Sequence, residues 1–235
     1  MMEFELCCDS YDAALIAAEY GFKRIELCAA LDEGGLTPSM GMIQRCVEVK
    51  NIETHVMIRP RGGSFVYSQI EMEIMARDII AAAVSGARGV VFGCLKSTGE
   101  LDLPTTMTLA EIARRQNLQY TFHRAIDFTP DRLQTLYSLA QAGFVRVLTS
   151  GGKSSVVEGM AELKQLAVAG NQFGIQVMAG GGVNATNARA LLTAGIHALH
   201  FTARKSLTVT NHSGMGGDFI VDHDKIKNIV QAVKE

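Results

Sequence analysis

Short apolar runs alternate with longer stretches of helical period from Phe4 to the last residues of the chain. The short runs read as strands buried on both faces, and the longer ones as helices with a single apolar stripe. Eight such pairs can be drawn. The strands fall at Phe4–Cys8, Arg24–Cys28, Thr54–Ile58, Gly89–Phe92, Tyr120–His123, Arg146–Thr149, Gln176–Ala179 and Ala198–Phe201. The helices begin near Ser10, Ser39, Gln69, Leu103, Asp131, Val156, Asn184 and Asp222. Pro38-Ser39, Thr129-Pro130-Asp131 and Asn184 supply start signals at three of them. Gly21, Gly86, Gly143 and Gly195 each close a helix a few residues before the next strand, where a left-handed terminator belongs.

Strand and helix in strict alternation imply parallel strands joined by crossover helices. An open doubly wound sheet uses the same elements, but its G-x-G-x-x-G turn is missing; the first strand leads into Cys8-Asp9-Ser10. Eight units with no surplus predict closure, so the expected fold class is α/β, a (β/α)8 TIM barrel. The 235 residues match the length of one such barrel, and no Gly/Ser/Pro-rich linker interrupts them. A single domain over residues 1–235 is expected.

Composition narrows the partners. The net charge is −2 and no helix face carries a Lys/Arg stripe, which excludes a nucleic-acid or acidic-membrane footprint. No apolar run reaches the roughly 18 residues of a membrane span, and the N-terminus MMEFELCCDS lacks a basic then apolar leader. A cytoplasmic protein acting on a small molecule or ion is expected. Five cysteines are an odd count in a chain too large to need disulfide staples, so all are read as reduced thiols.

In such a barrel the inward side chains at the C-terminal strand ends converge on one pocket. The first strand carries Glu5-Leu6-Cys7 and the second Glu26-Leu27-Cys28. Residues two apart share a strand face, so two carboxylates and two thiols are placed on one wall. Glu5 and Glu26 either pair with buried arginines or serve the pocket. The third strand ends in Met57-Ile58-Arg59-Pro60-Arg61-Gly62-Gly63, offering Arg59 and Arg61 to a carboxylate or phosphate, or to those same glutamates. The fifth ends in His123-Arg124-Ala125, with Asp127 beyond. His123 reads as a general acid or base, or a metal ligand, with Asp127 orienting it. Leu148-Thr149-Ser150-Gly151-Gly152 and Ala179-Gly180-Gly181-Gly182-Val183-Asn184 follow strands six and seven. Their amides suit an anion, and Arg124, Ser150, Gly151, Gly181 and Gly182 are its candidate holders alongside Arg59 and Arg61; the same glycines also make ordinary tight turns. His200, Thr202 and Arg204 complete the ring of strand ends. Ser206–Gly217 is the least patterned stretch and reads as a loop over the mouth, with His212 solvated in it.

These stretches resemble one known family. RIELC at Arg24–Cys28, EGGLTPS at Glu33–Ser39, MIRPRGG at Met57–Gly63, TFHRAID at Thr121–Asp127, LTSGG at Leu148–Gly152 and AGGGV at Ala179–Val183 are similar to the CutC family of copper homeostasis proteins, in the family's order. Ser64 stands in a segment where that family usually carries Asp. The resemblance implies a barrel, a cytoplasmic location, a homodimer and a role in copper handling. Soft thiolates suit Cu(I), and Cys7 with Cys28 would hold it if their sulfurs meet across adjacent strands. The residues by themselves support a second reading, an enzyme doing acid–base chemistry on a small phosphorylated or carboxylated metabolite. There Arg59, Arg61 and the glycine loops hold the anion while Glu26 or His123 moves a proton. A non-catalytic sensor of the same anion is a third.

Overall fold

The computed structural model describes residues 2–207 and 217–234, so the expected loop over the mouth and His212 lie largely outside the described residues. Eight parallel strands close into a barrel in sequence order. They are β1 (Glu3–Cys8), β2 (Arg24–Leu27), β3 (Glu53–Met57), β4 (Gly89–Phe92), β5 (Gln119–Phe122), β6 (Arg146–Thr149), β7 (Gln176–Gly180) and β8 (Ala198–Thr202). The crossover helices are α1 (Tyr11–Glu19), α2 (Met40–Cys46), α3 (Gln69–Val84), α4 (Leu103–Arg115), α5 (Arg132–Gln141), α6 (Met160–Phe173) and α7 (Ala185–Thr193). After β8 the chain makes a small antiparallel pair, β9 (Arg204–Ser206) with β10 (Phe219–Val221), and ends in α8 (His223–Lys234).

The start signals work as their chemistry dictates. Ser10, Ser39, Asp131 and Asn184 each accept a main-chain N–H of the first turn of α1, α2, α5 and α7. Ser68 and Glu71 form a reciprocal box at α3. The four expected terminators Gly21, Gly86, Gly143 and Gly195 all have φ between 72° and 94°. One helix start departs from expectation: α6 begins at Met160 rather than Val156. Val156 instead donates its N–H to the Gly181 carbonyl at 2.8 Å, docking the turn on the end of β7. Gly159 then lies so close to Ser150 that a Cβ would stand 1.8 Å from the Ser150 carbonyl oxygen. Only glycine allows that approach.

Period-two alternation divides the strands between two cores. Leu6, Cys8, Ile25 and Leu27 join the large apolar layer between barrel and helices. Cys7, Cys28, Met57 and Val91 pack inside the barrel toward its mouth, and Leu148, Met178 and Ala198 form a second internal cluster. Beside them the lumen is polar. Arg24, fully buried, donates to Glu5 at 2.5 Å and to Glu3 at 2.7 Å, while Arg146 donates to Thr121 and Gln176. Burial and the nearby Arg24 charge push Arg146 down to about 10. Among the described residues no helix is long and apolar enough to cross a membrane.

Candidate functional site at the barrel mouth

The site is built on three adjacent strands. β1 pairs with β2 so that Cys7 lies opposite Glu26, and with β8 so that Glu5 lies opposite His200. Cys28 continues β2 by donating its N–H to the Cys8 carbonyl. The two E-L-C triplets therefore do share one inner wall, and the Cys7 and Cys28 sulfurs are 4.0 Å apart. His200 Nδ1 donates to Glu5 Oε1 at 2.7 Å, which leaves Nε2 3.7 Å from Glu26 Oε2. Ligand atoms of Cys7, Glu26 and His200 all lie within 4.8 Å of one another. A chain of buried polar contacts thus runs from Arg24 through Glu5 and His200 to the mouth.

Electrostatics along this wall are strongly perturbed. Burial opposes ionisation of Glu5, yet Arg24 and His200 outweigh it and hold the carboxyl well below its usual range. The Cys28 thiol bonded to Cys7, helped against burial by His200, lowers Cys7 to about 5. Cys28 is pushed up by that same bond and by burial. Burial and the Cys7 charge raise Glu26 well above the carboxylate range. His200 resists burial because Glu26, Cys7 and Glu5 surround it, and its pKa rises. The two shifts run in the directions that favour a protonated His200 beside a deprotonated Cys7.

Above the wall is a cavity of about 190 Å³, bordered by Cys7, Glu26, Arg59, Phe65, His123 and His200. His123 reaches it from the end of β5. Its Nδ1 accepts the Ala125 N–H at 3.2 Å, so Nε2 carries the proton, and Nε2 is buried with no protein partner. Burial and the Arg59 charge push His123 down to about 3, which makes it a neutral ring at ordinary pH. Arg59 is buried and donates to three main-chain carbonyls, of Glu33, Gly35 and Gly63. It pairs with neither Glu5 nor Glu26; Glu5 is held by Arg24 and His200, and Glu26 faces His200.

Several expected site residues serve the framework instead. Asp127 does not orient His123. The 3-10 turn Arg124–Phe128 swings its carboxylate onto the loop after β6, where it accepts from Thr149 Oγ1, Ser150 N, Ser150 Oγ and Gly152 N at 2.5–3.0 Å. The protein's own carboxylate therefore fills the amide cradle that an external anion was expected to use. Arg124 borders the cavity but its guanidinium is held by Asp127 and Ser150. Gly151 packs against Gly159, and Gly181 against Arg124 and Ser150. The Gly182 carbonyl accepts from Asn184 and Asn187 at the start of α7. Arg61 is half exposed, bonded to Glu71 and to the carbonyls of Gly62, Ser64 and Val66, where it ties down the start of α3. Neither Arg61 nor Ser150, Gly151, Gly181 or Gly182 borders the cavity. Arg204 leaves the ring as well, stacking on Phe219 and facing Asp9 and Asp32.

His200 is the residue whose part the sequence left unassigned. The outward Leu199 and Phe201 that flank it were the available signal, since they force His200 inward.

Residues 2–205 match the sequence profile of the CutC family. A CutC family protein of Glaesserella parasuis is 39% identical over 243 residues, spanning 99% of both chains. The human copper homeostasis protein cutC homolog is 44% identical over 212 residues, covering 90% of this chain and 75% of the human one. A crystal structure described as a CutC copper homeostasis protein of Streptococcus agalactiae has TM-score 0.80 at 33% identity, covering 85% of this chain and 98% of that chain. With the profile spanning most of its length and relatives at these identities, the chain belongs to the CutC family.

Proposed function

We propose that the chain serves copper homeostasis by binding Cu(I) through Cys7 and Cys28, with His200 as a third donor. The observation that carries this reading is the 4.0 Å separation of the two buried sulfurs, beside a largely apolar cavity that Cys7 borders. A metal–thiolate bond is about 2.3 Å for zinc, so two sulfurs on one ion of similar size lie up to about 4.6 Å apart. The pair fits that limit without moving. Two sulfurs and an imidazole are a soft donor set, suited to Cu(I) rather than to hard cations. Glu5 on the far side of His200 supplies the carboxylate that commonly orients a ligating imidazole. A cytoplasmic location and a homodimer belong to the same reading, carried by the family resemblance.

Anaerobic titration against a chromogenic Cu(I) chelator tests this proposal. Wild-type protein is expected to hold one Cu(I) per chain, and Cys7→Ser/Cys28→Ser to hold none. Equal stoichiometry in both would overturn it. Of the second reading, an enzyme acting on a small phosphorylated or carboxylated metabolite, the anion site at the glycine loops and Arg61 draws little support, because Asp127 occupies that cradle and Arg61 is held by Glu71.

A further inference from the structure

The cavity holds polar atoms that neither the framework nor a Cu(I) ion would satisfy. His123 Nε2 and Glu26 Oε1 are both buried, both on residues that border the cavity, and both without a hydrogen-bond partner. Buried polar atoms left unpaired cost free energy, so two at one cavity point to a ligand that completes them. Their chemistry differs. His123 Nε2 is a donor, because Nδ1 already accepts from Ala125. Glu26 Oε1 offers a carboxyl oxygen, its other oxygen lying near Cys28 and His200.

Arg59 adds a third element. It is a buried cation whose NH1 and NH2 donate only to main-chain carbonyls while its buried Nε has no hydrogen-bond partner, and among the described residues no carboxylate lies within ion-pair distance of it. It and His123 rest on the same Phe65 ring, at 5.1 and 4.7 Å from its centroid. A buried charge without a counter-ion favours an anion beside it. The His123 end of the cavity therefore suits a carboxylate, and the Glu26 end suits a hydroxyl. At the volume a water occupies in the liquid, about 190 Å³ admits roughly six non-hydrogen atoms.

We propose that the cavity binds a small hydroxy-carboxylate, with its carboxylate at His123 Nε2 and Arg59 Nε and its hydroxyl at Glu26 Oε1. Phosphate is the weaker match, because Arg59 Nε and His123 Nε2 are two donors that suit the two oxygens of a carboxylate, while Arg59 NH1 and NH2 are committed to the backbone and the cradle after β6 is filled by Asp127.

The test uses the full chain, reduced and stripped with a Cu(I) chelator, and follows the imidazole nitrogens of His123 by NMR. Four probes are titrated separately: glycolate, acetate, ethylene glycol and inorganic phosphate. Glycolate should move the Nε2 resonance and bind about fivefold more tightly than acetate, the worth of one extra hydrogen bond. That advantage should vanish in Glu26→Leu, and glycolate binding should be lost in His123→Phe. No movement with glycolate, equal affinity for acetate or ethylene glycol, or a response to phosphate alone would overturn the proposal. The wild-type titration decides even if a variant fails to fold. Copper stoichiometry, measured in parallel, fails or succeeds independently, and His123→Phe should leave it unchanged.

Discussion

His123 gives the most direct quantitative check on the electrostatics of the mouth. Burial and Arg59 hold its pKa near about 3 in the folded chain, against 6.5 for the free side chain. In the unfolded chain the ring therefore takes up a proton first as pH falls. The neutral, buried ring contributes its full stability above pH ~6.5, and that contribution is lost progressively toward pH ~3. Each pH unit in that window costs about 1.4 kcal/mol, so acidification from pH ~6.5 to pH ~4 removes about 3 kcal/mol. His123→Asn is the informative comparison. Its side-chain oxygen can accept the Ala125 N–H as Nδ1 does, but it has no proton to gain. Urea unfolding of both proteins across this range should show wild type ahead at neutral pH, with the gap closing by about 3 kcal/mol at the acid end. With a urea slope of about 3 kcal/mol per molar, the relative midpoints move by about 1 M. Stability curves that fall in parallel with pH would refute the assignment of a buried, neutral His123.

Four further substitutions separate site from scaffold. Glu5→Gln removes the carboxylate shared by Arg24 and His200 and should cost about 3–5 kcal/mol in urea unfolding, while weakening Cu(I) affinity about 10- to 100-fold in chelator competition. Asp127→Asn puts an amide into a cradle of N–H and O–H donors and should cost about 3 kcal/mol by the same unfolding assay, leaving Cu(I) stoichiometry intact. Gly159→Ala should destabilise by at least about 2 kcal/mol because its Cβ meets the Ser150 carbonyl, whereas Gly41→Ala, with open space around it on α2, should raise the melting temperature slightly.

The barrel was legible because every one of its signals is local. Strand faces can be counted off in twos, so the inward set Glu5, Cys7, Glu26 and Cys28 follows from Leu6, Cys8, Ile25 and Leu27 turning outward to the helices. Caps at Ser10, Ser39, Asp131 and Asn184 and the four glycine terminators depend on their own turn of chain and nothing further. What failed was decided elsewhere in the molecule. The start of α6 is displaced by the contact of Gly159 with Ser150, which no reading of residues 156–160 contains. The β9–β10 pair has three residues on each side, one of them the polar Arg204-Lys205-Ser206, and offers no alternation to detect.

The site divides along the same line. Strand parity placed Cys7, Glu26, Arg59 and His123 around one cavity, but it carried no information about which partner each would take. Asp127 lies four residues from His123 in sequence, and the 3-10 turn between them sends its carboxylate to β6. Arg24 and Glu5 show the converse. They sit below the cavity, in the half of a barrel where polar pairs ordinarily serve stability alone. Yet Glu5 is bonded at once to Arg24 and to His200, so the charge at the base fixes the imidazole at the mouth. A substitution at Arg24 would release Glu5 to turn away from His200, and a change made two layers down would be read as a loss of metal affinity. On the Cu(I) reading proposed above, stability and ligand binding share a carboxylate, and neither would be altered there without the other.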